Sequence, residues 1–230
     1  MNLPKYAVLQ KPRDGKRTYG ITPRIPGGFI SADKMIHLSQ VAKKYNGTIK
    51  ITSGQRIAIL GLQPEDVDAV WEELDMEPAV LSHYSIKNVE ICPAAFCKRQ
   101  RQNSLPLGMR MEKRYYGAPA PNRCKIGVVG CRNGCASVNA KDIGVLAEEA
   151  GYIVVAGGSA GFHPRLPDTI ADKLTEEEAY NMVEAVYDYY CEGADQGEKL
   201  GFFIDRVTIE VFKEEVIKLF NNKMEEMKDE

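Results

Sequence analysis

No apolar run in this 230-residue chain approaches the roughly 18 residues that cross a bilayer, so no membrane partner is expected. The opening segment, MNLPKYAVLQKPRDGK, lacks the apolar stretch of a secretory signal, which predicts a cytoplasmic protein. A charge excess is missing as well. Thirty Lys and Arg stand against 32 Asp and Glu, a net charge of −2, which argues against a chain that coats nucleic acid. There is no low-complexity segment, no internal repeat, and no glycine fingerprint of a nicotinamide or flavin site. A disulfide framework is not expected either: in a reducing compartment the six cysteines read as thiols, metal ligands or reactive groups.

What is present is an ordinary globular composition, 44% hydrophobic and 27% charged, with length for one large domain or two small ones. The first 90 residues alternate between periods. RTYGITPRI reads as a strand. Ser31 is placed as the N-cap of a helix carrying Met35, Leu38, Val41, Ala42 and Tyr45 on one face, closed by Asn46-Gly47. TIKIT and RIAILGL are strands around the turn signal Ser53-Gly54. Pro64 opens a second helix with Val67, Val70, Trp71 and Leu74 as its buried stripe, and AVLSHYSIKNVEI returns as strand. This β-α-β-β-α-β order is ferredoxin-like and by itself specifies no function. The fold class expected is α+β, with a ferredoxin-like domain over 1–80 and an α/β domain over 81–230.

The second part reads as a helical segment over 98–116 broken near Pro106 and Gly108, then buried strands in CKIGVVGC and GYIVVAGG. Helices follow from Glu176 to Cys191 and from Glu210 to about Met227. Into this part fall two cysteine pairs. Cys92 and Cys97 have four residues between them, Cys131 and Cys135 three. Four thiolates in two pairs suit a [4Fe–4S] cluster, a zinc ion, or buried structural thiols. Structural zinc sites usually bring one pair two residues apart, whereas a cubane spreads its ligands over several corners, so the spacing leans toward the cluster. Gly127, Gly130 and Gly134 would let backbone amides approach sulfur.

Charge is concentrated beside these thiols. From Lys98 to Arg132 there are nine Lys or Arg residues and one acid, Glu112. Such a surplus repels itself unless an anionic group lies nearby, which points to a polyanionic ligand beside the metal site.

The segments CKRQRQNSLPLGMRMEKRYYG, RCKIGVVGCRNGCA, DIGV and GGSAGFHPRL resemble the sirohaem-containing sulfite and nitrite reductases, in particular the small single-subunit-type (assimilatory-type) sulfite reductases of anaerobes. RIPGG, ITSGQRIAILG and FFIDRVTIEVF extend the resemblance over most of the chain. It implies that Cys92, Cys97, Cys131 and Cys135 bind a [4Fe–4S] cluster, and that Cys135 also bridges to the iron of sirohaem. The second domain would then be a sirohaem and iron–sulfur domain. Arg24, Arg56, Arg101, Arg110 and Arg132 are candidates for the macrocycle's carboxylates, as is Asn133. Gly157 and Gly158, with Gly161, offer a backbone anion nest. Arg123 and Lys125, two apart on a strand, match the family's basic pair at the oxyanion, with Lys87 and Arg56 completing a catalytic cage for sulfite or nitrite. Electrons would come from a separate carrier such as a ferredoxin.

Three departures bear on substrate. One residue is missing between the first two cysteines, Gly54 stands where the family has Arg, and Lys87 stands where Arg is usual. Many relatives fuse two copies of both modules, and a homodimer would replace the missing copy here. Two other classes compete: an iron–sulfur electron-transfer or redox protein without sirohaem, and a nucleic-acid binder built around a zinc knuckle. Cys124, Cys191, Met109 and Met111 read as packing groups. His37, His83 and His163 receive no role.

Overall fold

The computed structural model describes residues 4–11 and 15–229, with side chains up to 226. It divides into two compact units, Met1–Leu81 and Ser82–Glu230.

In the first unit, Ser31 caps the helix that follows. Its hydroxyl oxygen accepts the Lys34 N–H at 3.3 Å, and helix α1 runs over Ala32–Lys44. Leu38, Val41 and Ala42 are buried and Met35 and Tyr45 half-buried, as the 3.6-residue stripe requires. Asn46 takes the left-handed conformation that ends the helix. Helix α2 covers Val67–Leu74; Pro64 lies in the turn before it rather than at its first position. Both helices pack on a four-stranded antiparallel sheet of β1 (Ala7–Gln10), β2 (Thr18–Ile21), β3 (Thr48–Ile51) and β4 (Ile57–Leu62), in the order β1-β2-β4-β3.

The strand expected over AVLSHYSIKNVEI does not close this sheet. Only the Glu77–Ala79 stretch pairs with residues beyond β2, through Arg24 N–H to Glu77 O at 2.7 Å, Ala79 N–H to Thr22 O at 2.9 Å, and a bridge between Pro23 and Pro78. Two prolines facing each other supply no N–H, so the ladder stops there. β1, joined to β2 as a local hairpin, takes the edge instead.

Residues 80–84 are bends and irregular chain, and the end of the expected strand is β5 (Ile86–Ile91), the first strand of the second unit. With β6 (Cys124–Val129), β7 (Ile143–Glu148), β8 (Gly151–Ala156) and β9 (Asp168–Leu174) it forms a five-stranded sheet in sequential order. β5, β6 and β7 are parallel; β8 and β9 are antiparallel additions. Helix α3 (Leu105–Tyr115) crosses from β5 to β6, and α4 (Glu176–Gly193), α5 (Leu200–Val207) and α6 (Ile209–Asp229) follow β9. Pro106 sits in the first turn of α3, where its missing N–H costs nothing, so it starts the helix rather than breaking it. Residues 98–104 form turns and bends.

Strand alternation assigns the two faces of the second sheet. Val128, Val145 and Val154 belong to a large core shared with Leu107 and Met111 of α3, Val183 and Val186 of α4, Phe203 and Phe212. The neighbouring Val129, Leu146 and Val155 pack instead with Cys92, Ala94, Ala136 and Val138. One face is therefore covered by helices and the other by the two cysteine-bearing loops.

Candidate functional site

Parallel pairing of β5 and β6 brings the cysteine loops together. Ile91 stands opposite Val128, so the segments beginning at Cys92 and Gly130 leave the sheet side by side at its carboxyl edge. They are bonded to each other: the Gly130 N–H points at the Cys92 sulfur at 3.2 Å, and the Arg101 N–H reaches Gly130 O at 2.6 Å. Further donors surround the thiols. Ala94 N–H lies 3.4 Å from Cys92 Sγ, Arg99 N–H 3.5 Å from Cys97 Sγ, and Asn133 Nδ2 3.0 Å from Cys135 Sγ. Donors directed at sulfur stabilise thiolate and a negatively charged cluster bound to it. Cys92 is buried, Cys97 and Cys131 half-buried, and Cys135 exposed.

Two of the eight left-handed non-glycine residues among the described residues lie on these loops. Ala94 and Ser137 are held in the left-handed region with φ of 32° and 51°, a conformation costing about 1–2 kcal/mol for a residue with a Cβ. Among the described residues no three His, Cys, Asp or Glu side chains converge as ligands of one metal ion would. The donor set and its amides fit an iron–sulfur group held across two loops. Of the glycines near the second cysteine pair, Gly130 does direct its amide at sulfur. Gly127 instead makes room for the returning arm of the second loop, since a Cβ there would lie 2.9 Å from the Lys141 side chain.

The cations divide by partner. Arg101 pairs with Glu149 at 2.8 Å and Arg132 with Glu148, and these four residues, with Lys98, Arg99, Cys131 and Asn133, line an open cleft of about 790 Å³. Arg132 and Asn133 also face a second hollow of about 400 Å³ against Ser159, Pro164 and Arg165. Arg110 has a different place. It grips Glu177 of α4 with two bonds of 2.5 and 2.9 Å and lies 3.6 Å over the Tyr180 ring, so the geometry assigns it to the contact between α3 and α4. The same contact lowers the Glu177 pKa. Lys87 donates to Ser82 O. Arg24 and Arg56 belong to the first unit, where Arg24 pairs with Glu77 and Arg56 closes the turn after β3 through Thr52.

Arg123 is exposed just before β6 and lines a smaller cavity of about 180 Å³ with Asp142, Gly157, Gly158, His163 and Lys199. Lys125 is half-buried on β6, and its N–H donates to Asp142 Oδ2 at 2.8 Å. Burial pushes the Asp142 carboxyl above the usual carboxylate range, opposed by the charge of Lys199 and the Lys125 amide. Gly157 is left-handed at φ 84°; a Cβ on it would strike the Arg165 guanidinium at 2.6 Å, and one on Gly158 would meet two backbone oxygens at 2.6 Å. Asp142 falls in the DIGV segment but was given no role from sequence, and Lys199 and the acids opposite Arg101 and Arg132 carried no sequence signal of a site. The adjacent Lys141-Asp142 charges before an apolar strand were the available signal.

Cys124 and Cys191 take no part. Burial raises both thiol pKa values, that of Cys124 well above the usual range. Met111 is fully buried in the helix-side core and Met109 packs against it. No helix among the described residues is long and apolar enough to cross a membrane.

Comparison with known proteins matches two family models to the two units. Residues 10–77 match the nitrite/sulfite reductase ferredoxin-like half domain, and residues 83–224 match the nitrite and sulphite reductase 4Fe-4S domain. The chain is 33% identical over 216 residues to an assimilatory-type sulfite reductase of Nitratidesulfovibrio vulgaris, covering 93% of this chain and 98% of that protein. It is 33% identical over 204 residues to the NAD(P)H nitrite reductase of Bacillus subtilis, covering 88% of this chain but 25% of the relative. Among solved structures, the Mycobacterium tuberculosis NirA protein superimposes with a TM-score of 0.76 at 18% identity, over 95% of this chain and 44% of that one. Dissimilatory sulfite reductase I gives 0.75 at 13% identity, over 87% and 69%. At these identities the two structures speak for the fold.

Proposed function

Because the chain belongs to the nitrite and sulphite reductase family, we propose that it catalyses the six-electron reduction of sulfite to sulfide. The family consists of oxidoreductases whose cofactors are a [4Fe–4S] cluster and sirohaem. The observation that carries the choice of sulfite is the end-to-end match: the chain spans 98% of the assimilatory-type sulfite reductase but 25% of the Bacillus nitrite reductase. Nitrite is the second reading, because identity to that relative is equally 33%.

Cys92, Cys97, Cys131 and Cys135 would hold the cluster, with Cys135 also bridging to the sirohaem iron. When bound, the two groups would supply single electrons for the reduction of the oxyanion. The chain's own side chains divide the remaining work. The Arg123 guanidinium offers a planar fork to two anion oxygens. Lys125 and Lys87 carry ammonium groups, which bind the same charge and can release protons as oxygen leaves as water. Arg101, Arg132, Asn133 and the Gly157-Gly158 amides would meet the macrocycle's carboxylates. For Arg101 and Arg132 this means exchanging Glu149 and Glu148 for the cofactor. A separate carrier such as a ferredoxin would deliver electrons, and a homodimer would supply a second copy of the module.

Steady-state assays of anaerobically purified protein with a chemical reductant should show a higher kcat/KM for sulfite than for nitrite; the reverse order would replace the proposal with its alternative. Arg123→Ala is expected to lower turnover about 100-fold at unchanged cofactor content. Unchanged rates would remove Arg123 from the site. Cys135→Ser should disturb the macrocycle absorption bands together with the cluster.

A further inference from the structure

On the loop-covered face of the second sheet, Glu90, Gly127, Gly144 and Val155 form a single row across β5, β6, β7 and β8. The two central glycines leave a trough, and the arm returning from the second cysteine loop lies in it. A Cβ on Gly144 would fall 2.6 Å from Val138 Cγ2, and one on Gly127 2.9 Å from Lys141 Cγ. Lys141 thus spans Gly127 and reaches Glu90 at the end of the row, Nζ to Oε1 2.7 Å, with both side chains more than nine-tenths buried. Asn88 Nδ2 gives Glu90 a further bond at 3.1 Å.

A buried ion pair is poor evidence for stability, because desolvating two charges offsets their attraction, and an apolar pair of similar volume often serves as well. What such a pair supplies is register. Glu90 lies two residues before Cys92, and Lys141 six residues after Cys135. We propose that the Glu90–Lys141 pair is a positioning device for the four-thiol centre, fixing the arm that carries Cys131 and Cys135 to the strand that leads into Cys92. The inference rests on the cluster reading given above. A neutral or apolar contact at these positions would hold the sheet and the arm together but allow the arm to shift along the trough, and the second pair of thiols would move against the first. Groups that orient metal ligands without touching the metal commonly change metal retention about 10- to 100-fold when replaced.

The test compares the anaerobically purified full chain with Lys141→Met, Lys141→Arg and the double variant Glu90→Met/Lys141→Met. Iron and acid-labile sulfide, the electron paramagnetic resonance spectrum of the reduced cluster and its midpoint potential are measured, with circular dichroism to follow the fold. The double variant is expected to keep its fold while cluster retention falls about 10-fold and the residual spectrum changes, and Lys141→Arg, which keeps the charge, to match the wild type in both. A folded double variant with full cluster content and an unshifted potential would overturn it. So would a double variant that loses fold and cluster together, since the pair would then be a stability element. Wild-type protein without iron or sulfide would overturn the cluster reading itself, a result distinct from either.

Discussion

Asp142 shows how burial at one residue becomes a property of the whole chain. It is 7% exposed, accepts the Lys125 N–H, and has its pKa raised above the unfolded value of about 3.9. Between the unfolded and folded pKa the native state therefore binds more protons. This contribution to stability is complete below the unfolded value and is lost as pH rises through the folded one. Urea-unfolding curves for wild type and Asp142→Asn across about pH 4 to 8 should diverge, the wild type losing stability relative to the variant as pH rises; parallel curves would contradict the assignment. Arg110 is the second case at this scale. An exposed pair contributes up to about 1 kcal/mol and a cation over an aromatic face a similar amount, so Arg110→Ala should cost about 1–2 kcal/mol in urea. Sirohaem content should stay unchanged, and a fall would return Arg110 to the cofactor. The sequence showed Arg110 as one cation in a cluster of nine. It could not show that Glu177 and Tyr180, some 70 positions on, would claim it.

Among the elements, α1 was legible because every signal agreed: Ser31 as cap, an unbroken apolar stripe, and Asn46-Gly47 as its end. α3 was misread because Pro106 breaks a helix in its interior but starts one in its first turn, and local sequence did not mark which applied. β7 and β8 meet through the two-residue turn Glu149-Ala150, which carries none of the Gly or Asn signals of a tight hairpin, so β7 was not separated from its surroundings. The strand assigned to the first sheet went to the second because Pro23 and Pro78 stop the ladder. Gly108 gives a prediction at this scale. Alanine there would gain about 1 kcal/mol in helix propensity, but its Cβ would press on Ile91 at 2.9–3.0 Å, and overpacking costs about 1–3 kcal/mol. Gly108→Ala should therefore lower the urea midpoint, whereas a raised midpoint would mean that β5 yields to α3.

For the molecule as a whole, the central arrangement is two loops leaving neighbouring parallel strands on the face away from the helices. The four cysteines and the surrounding positive charge could be read from sequence, since residue type and spacing carry them. The mutual bonding of the loops could not, because it follows from the Ile91–Val128 register and from two glycines, on β6 and β7, that clear a trough. The acids opposite Arg101 and Arg132 were hidden for the same reason: Glu148 ends β7 and Glu149 begins the turn after it, and both come beside the cysteine loop only when the sheet forms. The most direct measurement is iron and acid-labile sulfide per chain, with a visible spectrum, on protein purified without oxygen. Four cluster irons and four sulfides are the expectation, in keeping with the 4Fe-4S domain match, together with haem iron and macrocycle bands. One zinc per chain with neither sulfide nor macrocycle would contradict it.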